Sequence, residues 1–529
     1  MDYIDFALKI EPKEDGVFEV TAEQRLPTGK IHQLPGSELF RPENLLRTRS
    51  KIVEAIGLIM RRQSRDDDSI MQFGRELFQE AFVGVIGDHF CRLRDTVKAT
   101  QRGLRIRLEL PPALQSLPWE LMVQHDEGHE HFLCRSVMFS VVRSRPRNDQ
   151  MSMRPISLPL MVLVVVANPM EFTPLDARKE IRQLLESLSG LVRDGKVQID
   201  FIHGADTLEQ MSAKMSRQEY HIVHFIGHGQ KTSEGTFLVF EDQNNRVREL
   251  DPENIFFAIQ TVNLPRLVFL NICQGASTSL QLPITSIAEG FLRARVPAVI
   301  AHQFEISDLA ASLLSKHLYD SLLSQDQVDE ALAKARHQVS NSPQCQLESL
   351  TPVLFLHNVT GHLFTVTIAD RPHQPKRGLF VEHARQALAA RHWSEAADFA
   401  QAALLLSCDS GTEDIDRCND LEVHKLLDQA LANERLDVYL HEAAFAENLG
   451  STDDSDNSFT YFEEAINWYE KFLNDPMSRS RALSEREFVK SNQAAARARI
   501  AGFHRLKQLK RYADLVSVGV RDPWFQWKG

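Results

Sequence analysis

The stretch YHIVHFIGHG (Tyr220–Gly229) is a run of β-branched and bulky apolar residues that stops at His228, between two glycines. A second stretch, RLVFLNICQGAS (Arg266–Ser277), stops in the same way at Cys273, which a Gln–Gly pair follows. Apolar runs of this length predict strands that are buried on both faces of a parallel sheet. Functional groups gather at the carboxyl ends of such strands. We therefore expect the two strands to bring a histidine and a cysteine to one edge of the sheet, within reach of each other.

Two structural explanations compete with a functional one. A buried cysteine is most often a small hydrophobe, and His221, His224 and His228 have the i, i+3, i+7 spacing of a metal-binding helix face. The segment is β-branched and contains glycines, however, so it favours a strand. On a strand His221 and His224 lie on opposite faces, so we expect them to be core residues and predict neither a metal nor another cofactor. The glycines around His228 let a substrate backbone approach closely, which favours a site.

These motifs resemble the CHAT domain, a caspase-like and separase-like branch of the cysteine peptidases, in which FIGHG is followed by LNICQGAS. The resemblance continues through four later segments in the order that the family requires, and it covers about Ser157 to Thr367. Those segments are RVPAVIAHQ (Arg295–Gln303), ISDLAA (Ile306–Ala311), VDEALAKAR (Val328–Arg336) and TPVLFL (Thr351–Leu356). The stretch PPALQSLPWEL (Pro111–Leu121) is similar to the region upstream of many CHAT domains, and we expect its Trp119 and Glu120 to be structural.

The resemblance implies a His–Cys dyad. Cys273 would attack the scissile carbonyl as a thiolate, and His228 would protonate the leaving amine and then help to activate water. A position beside a histidine and a helix N-terminus lowers the pKa of a thiol from its usual value of about 8.5. The backbone N–H groups of Gly229 and Cys273 are the expected oxyanion donors. Asn271, two residues before the cysteine, resembles the caspase position that lines the S1 pocket.

The P1 preference stays open at this level. A caspase-like preference for Asp needs a basic pocket, yet neither Asn271–Ser279 nor His302–Ala311 contains Arg or Lys. Glu305 and Asp308 would instead suit a pocket for a basic P1 residue. The alternative for them is structural, because Ser307–Asp308 is a good N-cap for the helix that follows. An uncharged, apolar P1 residue is the third alternative.

Composition limits the class of protein. The chain has 529 residues, of which 43% are hydrophobic and 25% are charged, as in ordinary globular proteins. A formal net charge of −12 argues against general nucleic-acid binding, which needs a basic face. No apolar run is long enough to span a bilayer, and the first residues lack the regions of a secretory signal. The six cysteines show no disulfide or zinc spacing, so we expect a cytoplasmic protein that does not contact membranes.

The pattern of the chain predicts three regions. Residues 1–150 mix strand and helix patterns, with an antiparallel meander over about residues 1–35 and a strand at Leu104–Leu110. They predict an α+β region, either accessory or similar to an inactive peptidase domain. Residues 157–367 alternate strands and helices, which predicts an α/β domain with a caspase-like, mostly parallel sheet flanked by helices. Residues 371–529 have only helical patterns and predict an all-α domain. One helical hairpin there resembles a tetratricopeptide (TPR) repeat, without a sustained 34-residue period.

We interpret the chain as a cysteine endopeptidase that acts on a protein substrate. The family resemblance implies proteolytic activation of another protein, often in bacterial defence or programmed cell death, with gasdermin-like pore formers among the known kinds of target. We expect the C-terminal helices to bind an activating protein or peptide, since helical repeats form concave binding surfaces. The alternative is a non-catalytic caspase-like scaffold that binds partner proteins through its helical domain.

Overall fold

The computed structural model of the chain describes residues 3–14, 16–25, 31–60, 67–126, 128–144, 155–169, 171–172, 177–231, 236–259, 263–273, 284–304, 306–324, 326–357, 361–367, 377–407, 420–452, 458–480, 486–498 and 500–501. The chain divides into two compact units. The first consists of Met1–Asn168 and Leu175–Leu426, and the second of Pro169–Pro174 and Leu427–Gly529.

Strands and helices alternate through most of the first unit. The N-terminal elements are β1 (Tyr3–Pro12), β2 (Phe18–Arg25), β3 (Ile31–Gln33), β4 (Glu38–Phe40), α1 (Glu43–Met60), α2 (Asp68–Ala81), α3 (Gly84–Thr100), β5 (Gly103–Glu109), β6 (Val123–Asp126), β7 (His129–Phe132) and β8 (Phe139–Ser144). The central elements are β9 (Ile156–Ser157), β10 (Leu160–Val166), α4 (Ala177–Arg193), β11 (Val197–Ile202), α5 (Thr207–Arg217), β12 (Ile222–Lys231), β13 (Thr236–Glu241), β14 (Val247–Leu250), α6 (Pro252–Ile259), β15 (Leu267–Cys273), α7 (Ile284–Arg293), β16 (Ala298–His302), α8 (Asp308–Leu323), α9 (Val328–Ser340), β17 (Pro352–Leu356) and β18 (Val366–Thr367). The C-terminal helices are α10 (Arg377–Ala389), α11 (Trp393–Ser407), α12 (Leu421–Thr452) and α13 (Ser458–Asn474).

Parallel strands form the centre of the fold, in the order β11–β10–β12–β15–β16. The next strand, β17, runs antiparallel to β16. Every residue of β10 (LMVLVVV) is buried, as expected for a parallel strand that helices cover on both faces. The predicted fold class is confirmed: this is a mixed α/β structure with a caspase-like, mostly parallel sheet flanked by helices and a helical C-terminal region.

The sheet continues from the central region into the N-terminal region. Strand β8 pairs in parallel with β17 through Arg143 and Ser144, and β5 and β1 extend the sheet in parallel from β8. The predicted meander, β1 to β3, is present at the far edge, with β2 and β3 antiparallel. In the described part of the chain, fourteen strands form this one sheet. The sequence patterns indicated β5 and the meander, but they did not indicate β8, the strand that joins the two regions.

Buried ion pairs accompany this junction. Arg143 on β8 donates from Nη2 to Glu120 Oε2 at 2.7 Å, and the Glu120 side chain is fully buried. Trp119, also fully buried, donates from its indole to the Leu114 carbonyl at 3.0 Å. Both residues of the LPWE stretch therefore have the structural role that we expected. A second buried pair, Arg105 with Asp329, joins β5 to α9.

The first C-terminal hairpin belongs to the first unit. Helices α10 and α11 pack against each other, and α11 packs on α4 and on β11, the strand at the edge of the central sheet. Phe399 on α11 contacts Phe201 on β11 edge-to-face, with ring centroids 5.5 Å apart. The second unit has its own apolar core, which includes Leu436, Tyr469 and Phe472. Among the described residues, no helix combines the length and apolar character that crossing a membrane requires.

Candidate active site

His228 and Cys273 lie side by side on adjacent central strands. Strands β12 and β15 are parallel, and their register pairs His224 with Phe269, Ile226 with Asn271 and His228 with Cys273. Neighbouring strands in a sheet lie about 4.8 Å apart, so the two backbones approach closely at this level. Their pair is the last of the parallel pairing between β12 and β15, at the carboxyl edge of the central sheet.

Gly227 shows why the sequence needs glycine next to His228. A Cβ atom added at Gly227 would lie 2.6 Å from the Phe225 ring and 3.1 Å from the carbonyl oxygen of Ala167. The first of these distances is closer than real Cβ contacts come, so a larger residue would displace the aromatic ring or the strand. This glycine therefore lets β12 lie tightly against the end of β10.

The histidine is almost fully enclosed. The exposed fraction of His228 is 1%. The sequence predicts a strand that ends at Ile226, before a loop that carries His228. In the structure β12 continues to Lys231 and pairs with β13, where Gly229 lies opposite Leu238. Cys273 is the last residue of β15. The segment Gln274–Pro283 lies outside the described residues, as does the side chain of Cys273. The assignment of Gly229 and Cys273 as oxyanion donors stays a prediction.

A cavity of about 270 Å³ adjoins this edge. Ile226 and Asn271, the register partners two residues before His228 and Cys273, both line it. The helices α4 and α8 supply its other walls through a small set of residues. These are Glu180, Gln183 and Leu184 from α4, and Ala311, Ser312 and Ser315 from α8.

Asn271 makes a specific contact in this cavity. Its Nδ2 donates to Glu180 Oε2 at 2.7 Å, which joins the fourth central strand to the first turn of α4. Asn271 lies in the cavity wall, and its assignment to an S1 pocket stays a prediction. Glu180 was missed by the sequence analysis, because an acidic residue in the first turn of a helix is ordinarily explained by the helix dipole. The sequence feature that could have identified Glu180 as a candidate site residue is its position in the helix after β10, the strand beside β12.

Two histidines form the inner wall of the cavity. The His224 ring stacks on Phe269 with centroids 4.7 Å apart, and the His302 ring meets Phe269 edge-on at 5.3 Å. Burial lowers the pKa of His224 to about 4 and the pKa of His302 to about 3, so both rings are neutral at pH 7. Among the described residues, His224 Nδ1 and both ring nitrogens of His302 have no hydrogen-bond partner. His224 is buried, as we expected of a core residue. Its ring is not fully hydrogen-bonded, because Nδ1 has no partner among the described residues.

The described structure does not place the other two predicted pocket residues, Glu305 and Asp308, in the cavity. Glu305 lies outside the described residues. Asp308 is the first residue of α8, and its side chain lies outside the described part of the chain. The neighbouring Ser307 is the N-cap residue of that helix, and its side chain accepts from the Ala310 N–H at 3.4 Å. This contact favours the capping explanation for the Ser307–Asp308 pair.

The three histidines considered for a metal do not form a site. His221 Nδ1 accepts a hydrogen bond from the Met161 N–H at 2.9 Å, and burial lowers the pKa of His221 to about 4. His224 lies in the wall of the cavity described above. Within the part of the chain that the structure describes, no group of three or more His, Cys, Asp or Glu residues is arranged to hold a metal ion.

A mostly parallel central sheet flanked by helices is consistent with a caspase-like, peptidase-related domain. The CHAT domain family model matches residues 73–376, more than half of the chain, and the chain therefore belongs to the CHAT-domain family. The matched region begins in α2, so it includes β5 and β8 of the N-terminal region as well as the central sheet. A comparison with curated proteins gave no match.

Proposed function

We propose that the chain is a cysteine endopeptidase in which His228 and Cys273 form the catalytic dyad. The observation that carries the proposal is their register pairing on β12 and β15, at the carboxyl edge of the central sheet. In this role the Cys273 thiolate attacks the scissile carbonyl, the bond to the leaving amine breaks, and His228 supplies the proton to that amine. His228 then takes a proton from the water that hydrolyses the thioester.

The dyad has a suitable environment for this chemistry. Membership of the CHAT-domain family supports a peptidase role, and a nearly enclosed histidine supports one as well, since electrostatic interactions are stronger where water is excluded. We also propose that the substrate is a partner protein that cleavage activates. The resemblance to the family supports a role in bacterial defence or programmed cell death, in the cytoplasm, with a gasdermin-like pore former as one class of target.

Thiol reactivity tests the proposal against the scaffold alternative. A catalytic cysteine reacts as a thiolate, so Cys273 should be alkylated by a mild reagent much faster than Cys91, which is free and exposed on α3. Cys134 is the unreactive reference, because burial raises the pKa of its thiol to about 11. A His228→Ala substitution should slow the labelling of Cys273. If Cys273 reacts no faster than Cys91, the chain is a caspase-like scaffold and not an enzyme.

We further propose that the C-terminal helices regulate the peptidase by binding a protein or peptide. An active endopeptidase free in the cytoplasm would be harmful, so a latent ground state is advantageous. A partner that changes the protein from mostly inactive to mostly active must prefer the active state by about 5.5 kcal/mol. This is feasible for a protein ligand that covers helices such as α12 and α13. A TPR-like arrangement of these helices stays part of the proposal.

A further inference from the structure

The cavity beside the candidate dyad has the position and size of a pocket for one side chain. Ile226 and Asn271 line it two residues before His228 and Cys273. A strand rises about 3.3 Å per residue, so this wall lies about 7 Å from the dyad, within the reach of a long side chain. Pockets for drug-sized ligands measure about 300–1,000 Å³. A volume of about 270 Å³ suits something smaller.

Among the described residues that line the cavity, the carboxylate is that of Glu180. Three of the described lining residues can carry a charge: Glu180, His224 and His302. Burial keeps both histidines neutral at pH 7, which leaves Glu180 as the charged one. The hydrogen bond from Asn271 Nδ2, at 2.7 Å, fixes the Glu180 carboxylate at the cavity wall. A carboxylate at a partly enclosed site attracts a cation more strongly than it would in bulk water. An acidic ligand would be repelled there.

The inner wall offers hydrogen-bond acceptors without a positive charge. His302 is 5% exposed, and within the described structure neither of its ring nitrogens has a hydrogen-bond partner. Buried polar atoms without partners cost free energy, so a ligand that satisfies them gains affinity. A neutral imidazole accepts from an N–H group through its unprotonated nitrogen. Each neutral ring therefore provides one acceptor for an N–H group of a ligand and keeps one N–H of its own.

We propose that this cavity is the S1 pocket and that Glu180, oriented by Asn271, selects substrates with Arg or Lys at P1. The inference rests on the proposed function, because P1 has meaning only if the chain cleaves peptides. The guanidinium or ammonium group contacts Glu180, and the neutral rings of His224 and His302 accept its remaining N–H groups. An Asp at P1 meets a like charge, and a Leu at P1 leaves the buried polar atoms of His302 without a partner.

Matched peptide substrates test the selectivity. The series varies only at P1, with Arg, Lys, Leu, Asp and citrulline, which has the shape of Arg without its charge. We expect kcat/KM for Arg or Lys to exceed that for citrulline by about 100-fold, the effect of removing one partner of an enclosed charge pair. Glu180→Gln keeps an acceptor for Asn271 and should reduce the Arg-to-citrulline ratio to below about 10-fold. The matched control is Glu186→Gln on the same helix, where Glu186 pairs with Arg182 and does not line the cavity; it should leave the ratio unchanged.

A binding measurement separates this inference from the proposed function. Agmatine carries the guanidinium chain of Arg, and its binding to the full chain with Cys273→Ala can be followed by ligand-detected NMR. We expect millimolar agmatine to bind and the added Glu180→Gln substitution to abolish that binding, whereas Glu186→Gln does not. If no peptide is cleaved but agmatine binds in this way, the peptidase function fails and the cation pocket stands. A preference for Leu or Asp at P1, a Glu180→Gln variant with an unchanged ratio, or agmatine binding that Glu180→Gln does not reduce would overturn the assignment.

Discussion

His228 and Cys273 are direct register partners on the adjacent parallel strands β12 and β15. Because a shift of one residue would move every side chain of a strand to the opposite face, the apolar residues before each of them hold this pairing in place. On one face of β12 those residues are Val223 and Phe225, which belong to the same buried cluster as Val268 and Leu270 of β15. The core packing therefore sets the geometry of the candidate dyad.

Removing either member of the pair should abolish cleavage. We expect Cys273→Ala and His228→Ala each to reduce kcat by at least about 10⁴-fold, and the double variant to lose little more, because the two residues act as a unit. The controls are Cys91→Ser and His129→Ala, which change exposed residues on α3 and β7. Turnover of a P1-matched peptide is the measurement. Retained turnover in the Cys273→Ala protein would exclude the dyad.

The cavity histidines should make stability depend on pH. Burial lowers the pKa of His302 to about 3, whereas an unfolded histidine has a pKa of about 6.5. The unfolded state therefore binds a proton that the folded state does not, and stability that is fully present above pH 6.5 is lost as the pH falls. Between pH 6 and pH 4 the loss is about 1.4 kcal/mol per pH unit for this residue.

Substituting His302 isolates this contribution. The His302→Asn protein cannot gain that proton, so its Tm should fall less steeply than that of the unsubstituted protein between pH 7 and pH 5. A His129→Asn protein controls for the loss of a histidine at an exposed position. Parallel Tm curves for the His302→Asn protein and the unsubstituted protein would show that the ring is not buried in its neutral form.

The buried ion pair between β5 and α9 should be important for stability. Arg105 donates from Nε to Asp329 Oδ2 at 2.6 Å, and the side chains are 3% and 0% exposed. Asp329→Ala leaves the guanidinium enclosed without this partner, which costs about 3–5 kcal/mol. The expected result is a clear fall in Tm. Glu130→Gln, which breaks the more exposed Arg75–Glu130 pair, is the control and should change Tm little. If the two substitutions lower Tm equally, burial does not make the Arg105–Asp329 pair more important for stability than the exposed pair.

The docking of the α10–α11 hairpin should depend on Phe399. This ring is 3% exposed and contacts Phe201 and His383. Phe399→Ala removes an aromatic side chain from a packed interface, which costs about 3–5 kcal/mol. Amide hydrogen exchange in α10, α11 and β11 should therefore become faster. Leu379→Ala, at a residue of α10 that is 42% exposed, is the control. Unchanged exchange in the Phe399→Ala protein would mean that other contacts hold the hairpin.

Regulation by the C-terminal helices predicts a latent enzyme. The intact chain alone should cleave a matched peptide slowly, and a chain that ends at Ser407 should differ from it several-fold. This truncation retains α11 and its contact with Phe201, unlike one near Arg371, which would expose the edge of the sheet. Full activity of the intact chain without a partner would contradict the proposal, as would identical rates for the two chains in the presence of one.

The local elements of the central region could be predicted from the sequence because local patterns specify them. Local patterns predict a strand at Val197–Ile202 and helices at Thr207–Arg217 and Ile284–Arg293, and the structure has these elements with the same bounds. Runs of β-branched residues and helical periodicity depend on neighbours along the chain. A similar local signal, a polar residue at the end of an apolar run with glycine nearby, identified His228 and Cys273 as the candidate pair.

Tertiary structure decided what lies next to these elements. The sequence did not indicate that β8 would pair with β17, because the two strands lie more than 200 residues apart along the chain. Nor did it indicate Glu180, because only the tertiary fold brings that carboxylate to 2.7 Å from Asn271, 91 residues away along the chain. Strand pairing and cavity walls are long-range contacts. The sequence therefore determined the elements and the candidate dyad, and the tertiary structure placed the Glu180 carboxylate in the wall of the cavity beside it.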